Sequence, residues 1–424
     1  MLKELKILKN DLLDIFSFKP AYTMNKINPQ IIFIAEKALD CIHKSISNTD
    51  KKSQIISNWV SLLENNPWGL EGAIKDCDFI YAASAQQSVS RDIIRQKVSL
   101  GSNSRVYDTV VIDEAARATP PDLLIPMCLA SKRIILVGDH RQLPQLVDED
   151  VCKAVENLNI SQEEQNEREK ANTISDIVDK KKDPLHLSLF ETLFVRLKEL
   201  EKKDGIKRTV TLNKQFRTHP VLGDFASKEF YEKYPGEGYS SDWDSTSRFA
   251  HELPGIKNKA AVWIDVPLAK GKEEKPNTSY CRPAEVSVIV NKLKEWATSE
   301  AGNKFSYGII TFYKEQEKEL KREIGRLNLP VKCRIGSVDA FQGMEFDVVF
   351  LSVVRSNNLK IDNPYGFLCS VNRLCVSMSR QKRVLVCVGD KNFCTTENAR
   401  KEGHIPALAN FYDLCANSEW GALL

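Results

Sequence analysis

The segment VVIDE (110–114), followed after a short interval by GDHRQLP (138–144), decides how this chain folds. Each stretch is an apolar run that ends in carboxylates or other polar groups. A buried parallel strand presents ligands at the carboxyl edge of an α/β sheet in this way: its body is covered on both faces and only its end is open. Similar runs recur between helical stretches: DFIYAA (78–83), TVVID (109–113), RIILVG (133–138), AVWIDV (261–266), YGIITF (307–312), DVVFLSVV (347–354) and RVLVCVG (383–389). Strands alternating with helices at this spacing predict an α/β fold of doubly wound parallel sheets, and the runs divide into two of them.

Length and composition agree with that division. The 424 residues, 42% of them apolar, suffice for two ordinary cores. No apolar run approaches the roughly 18 residues of a membrane-crossing helix, and the N-terminus is amphipathic rather than a signal peptide. Sixty basic and 57 acidic residues leave a net charge of +3. That balance neither requires nor excludes nucleic acid, because a cleft can be basic on a nearly neutral protein. Eleven cysteines without a CxxC pair argue against a zinc site, and their odd number argues against a complete disulfide framework. Those inside apolar runs, such as Cys387, read as small core residues, and a reducing cytosol is the expected setting.

The first 76 residues differ in kind. MLKELKILKNDLLDIF (1–16), NPQIIFIAEKALDCIHKSI (28–46) and QIISNWVSLLENN (54–66) carry apolar residues at i, i+3, i+4 spacing and predict helices. Residues 77–205 predict a partial first α/β domain, interrupted at 148–184 by a charged stretch poor in large apolar groups. That stretch reads as a solvated insertion. SLFETLFVRLKEL (188–200) reads as a connecting helix, residues 206–424 as a complete second domain, and the polar segment 236–256 as a surface loop.

Nucleotide-driven chemistry needs a magnesium ligand, a group that orients water and cations that neutralise charge on the terminal phosphate. Asp113 is the candidate metal ligand and Glu114 the candidate for the water. A lone Asp-Glu pair ending a strand also serves as a helix cap. Its company decides: GDHRQLPQ (138–145), LNKQFRTHP (212–220), ITFYKEQ (310–316), SVDAFQGMEFDVVFLSVVRSN (337–357) and VNRLCVSMSRQKRVLVCVGD (371–390). In this order and spacing, across roughly residues 76–390, these blocks resemble the later motifs of a superfamily 1 helicase of the 5′-to-3′ type, closest to the RNA-surveillance and DNA-replication helicases.

The resemblance implies two RecA-like domains, the first incomplete at its N-terminal side, with ATP and Mg2+ as cofactors and single-stranded or duplex DNA or RNA as partner. By the same resemblance Gln142 senses the γ-phosphate, Arg217 and Arg380 reach the phosphates, and Phe216 stacks on adenine unless it is a core aromatic. Gln342, Gly343 and Glu345 form a QGxE turn with the carboxylate near the ribose. For the nucleic-acid strand it implies Thr311 and Ser337 through hydroxyls, with Tyr313, Arg355 and Asn357 nearby. Backbone contacts of that kind are independent of sequence, although a Ser or Thr at a strand end also caps helices.

The chain departs from the family pattern RxNVAxTRA, with Cys375 for an asparagine and Ser379 for a threonine, and Phe312 stands where proline is common. The larger departure is that no GxxxxGK[ST] phosphate loop occurs in the 424 residues. GLEGAIKD (69–76) and AKGKEE (269–274) have the wrong spacing and context, and the adenine-reading glutamine and first nucleic-acid motif are likewise missing. The expectation is therefore a C-terminal portion of a longer helicase, a chain whose missing half another chain supplies, or a noncatalytic module repaired by its N-terminal helices. An upstream reading frame that encodes the phosphate loop would separate these.

Overall fold

The computed structural model describes residues 29–46, 55–56, 59–61, 64–65, 80–89, 107–143, 188–359 and 363–424. The chain divides into two compact units, Met1–Ser104 and Arg105–Leu424. The expected helix at 1–16 and the charged stretch 148–184 lie outside the described residues.

In the first unit, α1 (Pro29–Ile46) is a helix, as its periodicity predicts, and the described residues within 54–66 are helical. The expected strand at 78–83 is not found where it is described: residues 80–83 are irregular and Ile80 is 90% exposed. A short apolar run becomes a strand only beside a partner that pairs its backbone, and no strand of the described residues pairs with this one.

The second unit begins with β1 (Tyr107–Ile112), α2 (Pro120–Met127) and β2 (Ala130–Leu136). β1 and β2 pair in parallel as a sheet of two strands. Thr119 starts α2 by accepting from the Asp122 amide, with proline in the first turn where no backbone donor is lost. The core here is small: Ile112, Ala115, Ala116, Leu123 and Phe190. Val111, Ile134 and Ile135 stay 61%, 44% and 46% exposed, although strands of this composition are covered on both faces in a completed parallel sheet.

α3 (Leu189–Asp204), capped by Ser188 and ended by left-handed Gly205, leads into the second sheet. A short pair, β3 (Lys214–Gln215) with β4 (Ser240–Ser241), flanks α4 (Pro220–Ala226) and a π-turn at Ser227–Tyr231. Six parallel strands follow, β5 (Ala261–Asp265), β6 (Tyr307–Thr311), β7 (Cys333–Ser337), β8 (Phe346–Ser352), β9 (Gln381–Gly389) and β10 (Gly421–Leu423). Their order is β10-β5-β9-β8-β6-β7.

Strand alternation explains the two layers of this domain. Ala261, Trp263, Val349, Leu351, Leu385 and Cys387 face one side, where α4, α7 (Val371–Ser377) and α8 (Pro406–Asn417) cover them. Val262, Ile264, Val348, Phe350, Val384 and Val386 face the other, under α5 (Pro283–Thr298) and α6 (Lys314–Gly325). The sheet is doubly wound, as expected. Cys281, Cys375, Cys387, Cys394 and Cys415 are buried free thiols, so Cys387 is a core residue. Among the described residues no helix is long and apolar enough to cross a membrane.

Two readings need correction. CRIGS (333–337) and GAL (421–423) are strands that the sequence reading did not single out, and they pair with β6 and β5. Residues 236–256 are not merely a surface loop: a 3-10 segment, Trp243–Phe249, lies within them, and Phe249, Leu253 and Ile256 are buried.

Two outcomes follow from this packing. Ile135→Lys should reduce self-association in sedimentation velocity and shift stability by no more than about 0.5 kcal/mol, as for a surface site. Unchanged association would mean that the face is covered in solution.

The second concerns His219, buried beside Trp420 with ring centroids 4.7 Å apart. Burial, helped by His251, holds its imidazole down at about 4, against 6.5 unperturbed. Between those pH values the unfolded chain binds a proton that the folded chain does not. Stability should therefore fall as pH drops through this window, by at most about 1.4 kcal/mol per pH unit from this group. His219→Asn should flatten the slope in urea melts at pH 4.5–6.5, and an unchanged slope would assign it to other groups.

Candidate nucleotide cleft

The chain leaves β1 through a turn that turns two carboxylates outward. Asp113 and Glu114 are both exposed. Glu114 has φ +53°, in the left-handed region that costs an L residue about 1 kcal/mol or more. The surroundings hold it there. Its amide donates to Asp113 Oδ1 at 2.9 Å, and the Ala115 amide donates to the Val137 carbonyl at 2.8 Å. Gly138 lets the turn close, since a Cβ there would lie 2.8 Å from the Ala116 nitrogen.

Across from this turn stands QGME. Gln342 Nε2 donates to Glu114 Oε2 at 3.4 Å, and its Oε1 is buried without a partner. Gly343, at φ +75°, brings the backbone close to Glu114. Glu345 pairs with Arg217 at 3.1 Å and with Lys382 at 2.5 Å. The hydrogen bond from Lys382 is the main cause of its lowered pKa. Phe216 is 61% exposed and so is not a core aromatic.

Arg380 is 2% exposed. Its Nε donates to the Val376 carbonyl, and one terminal nitrogen donates to Ser379 Oγ at 2.8 Å and Gln142 Oε1 at 3.3 Å. No carboxylate among the described residues pairs with it. Burial first, then the neighbouring Arg217 guanidinium, push its pKa down. Two guanidiniums that disfavour each other, one of them desolvated, make an electrostatic setting that favours an anion. Gln142 Nε2 in turn donates to Asp139 Oδ2 at 2.7 Å.

The GDHRQLP segment is seated on the second domain by groups that the sequence did not single out. Glu237 forks onto Arg141 at 2.8 and 3.1 Å. Burial pushes this carboxyl up, but hydrogen bonds from His140 and Arg141 outweigh it and bring it down to about 2. The Arg141 guanidinium lies over the Tyr234 ring, and Asn372 donates to the carbonyls of Arg141 and Gln142 at 3.1 and 2.7 Å. Glu237 and Tyr234 come from YEKYPGEG, whose residue types resemble any polar loop. Asn372, inside a quoted block, is the one that motif position could have flagged.

Asp113, Glu114, Gln142, Arg217, Gln342, Gly343, Glu345 and Arg380 are thus joined by short contacts and neighbouring backbone from β1, β2, the segment after α3, β8 and β9. The candidate nucleic-acid residues form a second group at the carboxyl ends of β6, β7 and β8. Thr311 lies beside Ser337 in the sheet register but is fully buried, its hydroxyl accepting from the Tyr313 amide. Tyr313 is 2% exposed, with its hydroxyl 3.4 Å from Arg355. Arg355 Nε and Asn357 Nδ2 both donate to Glu273. Ser337 is half-buried and makes no capping bond. A phosphate would have to displace Glu273 to reach Arg355.

Two family models, each described as an AAA domain, match residues 74–150 and 189–392. Helicase sen1 of Schizosaccharomyces pombe is 30% identical over 69% of this chain and 15% of that protein. Regulator of nonsense transcripts 1 of Dictyostelium discoideum is 30% identical over 67% of the chain and 18% of its own length. ATP-dependent helicase NAM7 of Saccharomyces cerevisiae is 29% identical over 67% and 25% respectively. The chain therefore spans a quarter or less of each of these relatives. With AAA-domain matches at 74–150 and 189–392 and helicases 30% identical over about two thirds of its length, the chain is a superfamily 1 helicase-like protein.

Proposed function

We propose that this chain is a helicase region that uses ATP and Mg2+ to move on DNA or RNA. A phosphate loop would reach its cleft from a segment outside these 424 residues, on the same polypeptide or a separate chain. The observation that carries the reading is the buried Arg380 guanidinium, which has no carboxylate partner among the described residues, lies within reach of Gln142 and is close enough to Arg217 to feel its charge. Such a site suits a polyphosphate, which brings the missing negative charge.

In this reading Arg217 and Arg380 neutralise charge on the phosphates, Gln142 reports their presence and Glu114 orients the attacking water. Asp113 would hold the magnesium ion, which when bound screens the phosphate oxygens. Phe216 offers its exposed ring to the base and Glu345 its carboxylate to the ribose. Thr311, Ser337, Tyr313, Arg355 and Asn357 are proposed for the nucleic-acid backbone, with Glu273 displaced. The uncovered strands β1 and β2 support a sheet that the loop-bearing segment completes, because an unpaired apolar strand edge is a template for another strand.

A second reading, a nucleic-acid-binding module without catalysis, is favoured by the absence of GxxxxGK[ST]. Hydrolysis assays separate the two. The isolated chain should turn over ATP slowly or not at all, since phosphate positioning is what this chemistry depends on. Joined to a segment carrying the loop, it should gain nucleic-acid-stimulated hydrolysis, and Glu114→Gln should lower that by roughly a hundredfold or more. Vigorous turnover by the isolated chain would overturn the need for the loop. No turnover in the joined protein would favour the module.

A further inference from the structure

We propose that Tyr231 is a positioning residue: through Asp139 it fixes the orientation of the Gln142 side-chain amide, a role that rests on the cleft being a nucleotide site. Asp139 Oδ2 accepts two hydrogen bonds, from Gln142 Nε2 at 2.7 Å and from the Tyr231 hydroxyl at 2.5 Å. A carboxylate only accepts and a guanidinium only donates. Held between Asp139 and Arg380, the Gln142 amide has one orientation that satisfies both, with nitrogen toward Asp139 and oxygen toward Arg380.

Tyr231 is aimed at Asp139 by its backbone. It ends the π-turn Ser227–Tyr231, in which the Glu232 amide reaches back to the Ser227 carbonyl at 2.9 Å. Ser227 Oγ holds that wide turn by donating to Glu232 and accepting from the Tyr239 amide. Wide turns of this kind are rare and gather at functional sites. Behind Tyr231, Cys375 Sγ lies 3.4 Å from its hydroxyl. The tyrosine proton is committed to Asp139, so the thiol is the donor of that contact. Burial first pushes the thiol up to about 12, which keeps its proton in place.

The bonds therefore form a path that runs from Cys375 to Tyr231, crosses from there to Asp139 and Gln142, and returns at Arg380. Cys375 lies in α7 and Arg380 in the short junction between α7 and β9. A change at Arg380, such as arrival of an anion, is felt at Asp139 through Gln142, and Tyr231 sets the resting position from which it moves.

The test is the side-chain amide resonance of Gln142 in chain labelled with 15N-glutamine, assigned by its loss in Gln142→Glu. Tyr231→Phe keeps the ring and removes the hydroxyl. It should move this resonance and speed backbone amide exchange at residues 139–142 by roughly tenfold or more, the scale of a lost hydrogen bond to a charged group. Tyr239→Phe, whose ring packs on Tyr231 at 5.2 Å, should do neither. Asp139→Asn should move the resonance as Tyr231→Phe does, and serves if that variant does not fold. A Gln142 resonance that superimposes on the wild type in both Tyr231→Phe and Asp139→Asn would overturn the proposal. Neither readout needs nucleotide: a chain that shows the shift but binds no ATP even when joined to a segment carrying the loop keeps the role of Tyr231 in orienting Gln142 and overturns the nucleotide reading.

Discussion

A desolvated guanidinium without a counter-carboxylate is costly, by several kcal/mol before compensation, and among the described residues Arg380 is in that position. Its hydrogen bonds to the Val376 carbonyl, Ser379 Oγ and Gln142 Oε1 satisfy donors but supply no negative charge. The cleft is arranged around that deficit. Arg217 is held nearby by Glu345, which is itself shared with Lys382, so the second cation is partly neutralised while the first is not. Glu114 is near enough to be felt by Arg380 yet forms no ion pair with it, its carboxylate reaching Gln342 instead.

The same arrangement explains why GDHRQLP is held so firmly. A loop whose glutamine bridges two domains can report on an anion only if its backbone does not drift. Asn372, Glu237 and Tyr234 grip three consecutive residues of it, His140 to Gln142, with Glu237 about 3.7 Å from the His140 ring. The second domain thereby positions a segment of the first, whose own two-stranded sheet has little core to do so.

Much of this was legible in the sequence, for identifiable reasons. Strands buried on both faces betray themselves as unbroken apolar runs, so β5, β6, β8 and β9 could be read directly, and β1 and β2 carry the same kind of run although they stay exposed. CRIGS could not, because Arg334 and Gly336 break the run and the strand exists through β6. Residues 80–83, the described part of DFIYAA, have the composition of a strand without a pairing neighbour among the described residues. In the cleft, motif order named the residues that face each other across the domains. The groups that hold them there, Tyr231, Glu237 and Lys382, carry no local pattern. Their role comes from a π-turn and from packing, neither of which spacing encodes. Glu273 was visible only as part of a charged run, and its grip on Arg355 and Asn357 follows from the fold of the loop after β5.

The central claim is that the cleft between Arg217 and Arg380 takes a polyphosphate. Thermal unfolding with increasing inorganic tripolyphosphate measures this most directly, since a ligand that binds the folded state raises Tm by an amount that grows with the logarithm of its concentration above Kd. The account predicts a rise for the wild type that continues with the logarithm of tripolyphosphate concentration and is lost in Arg380→Met, at constant ionic strength. An equal rise in both proteins would contradict it.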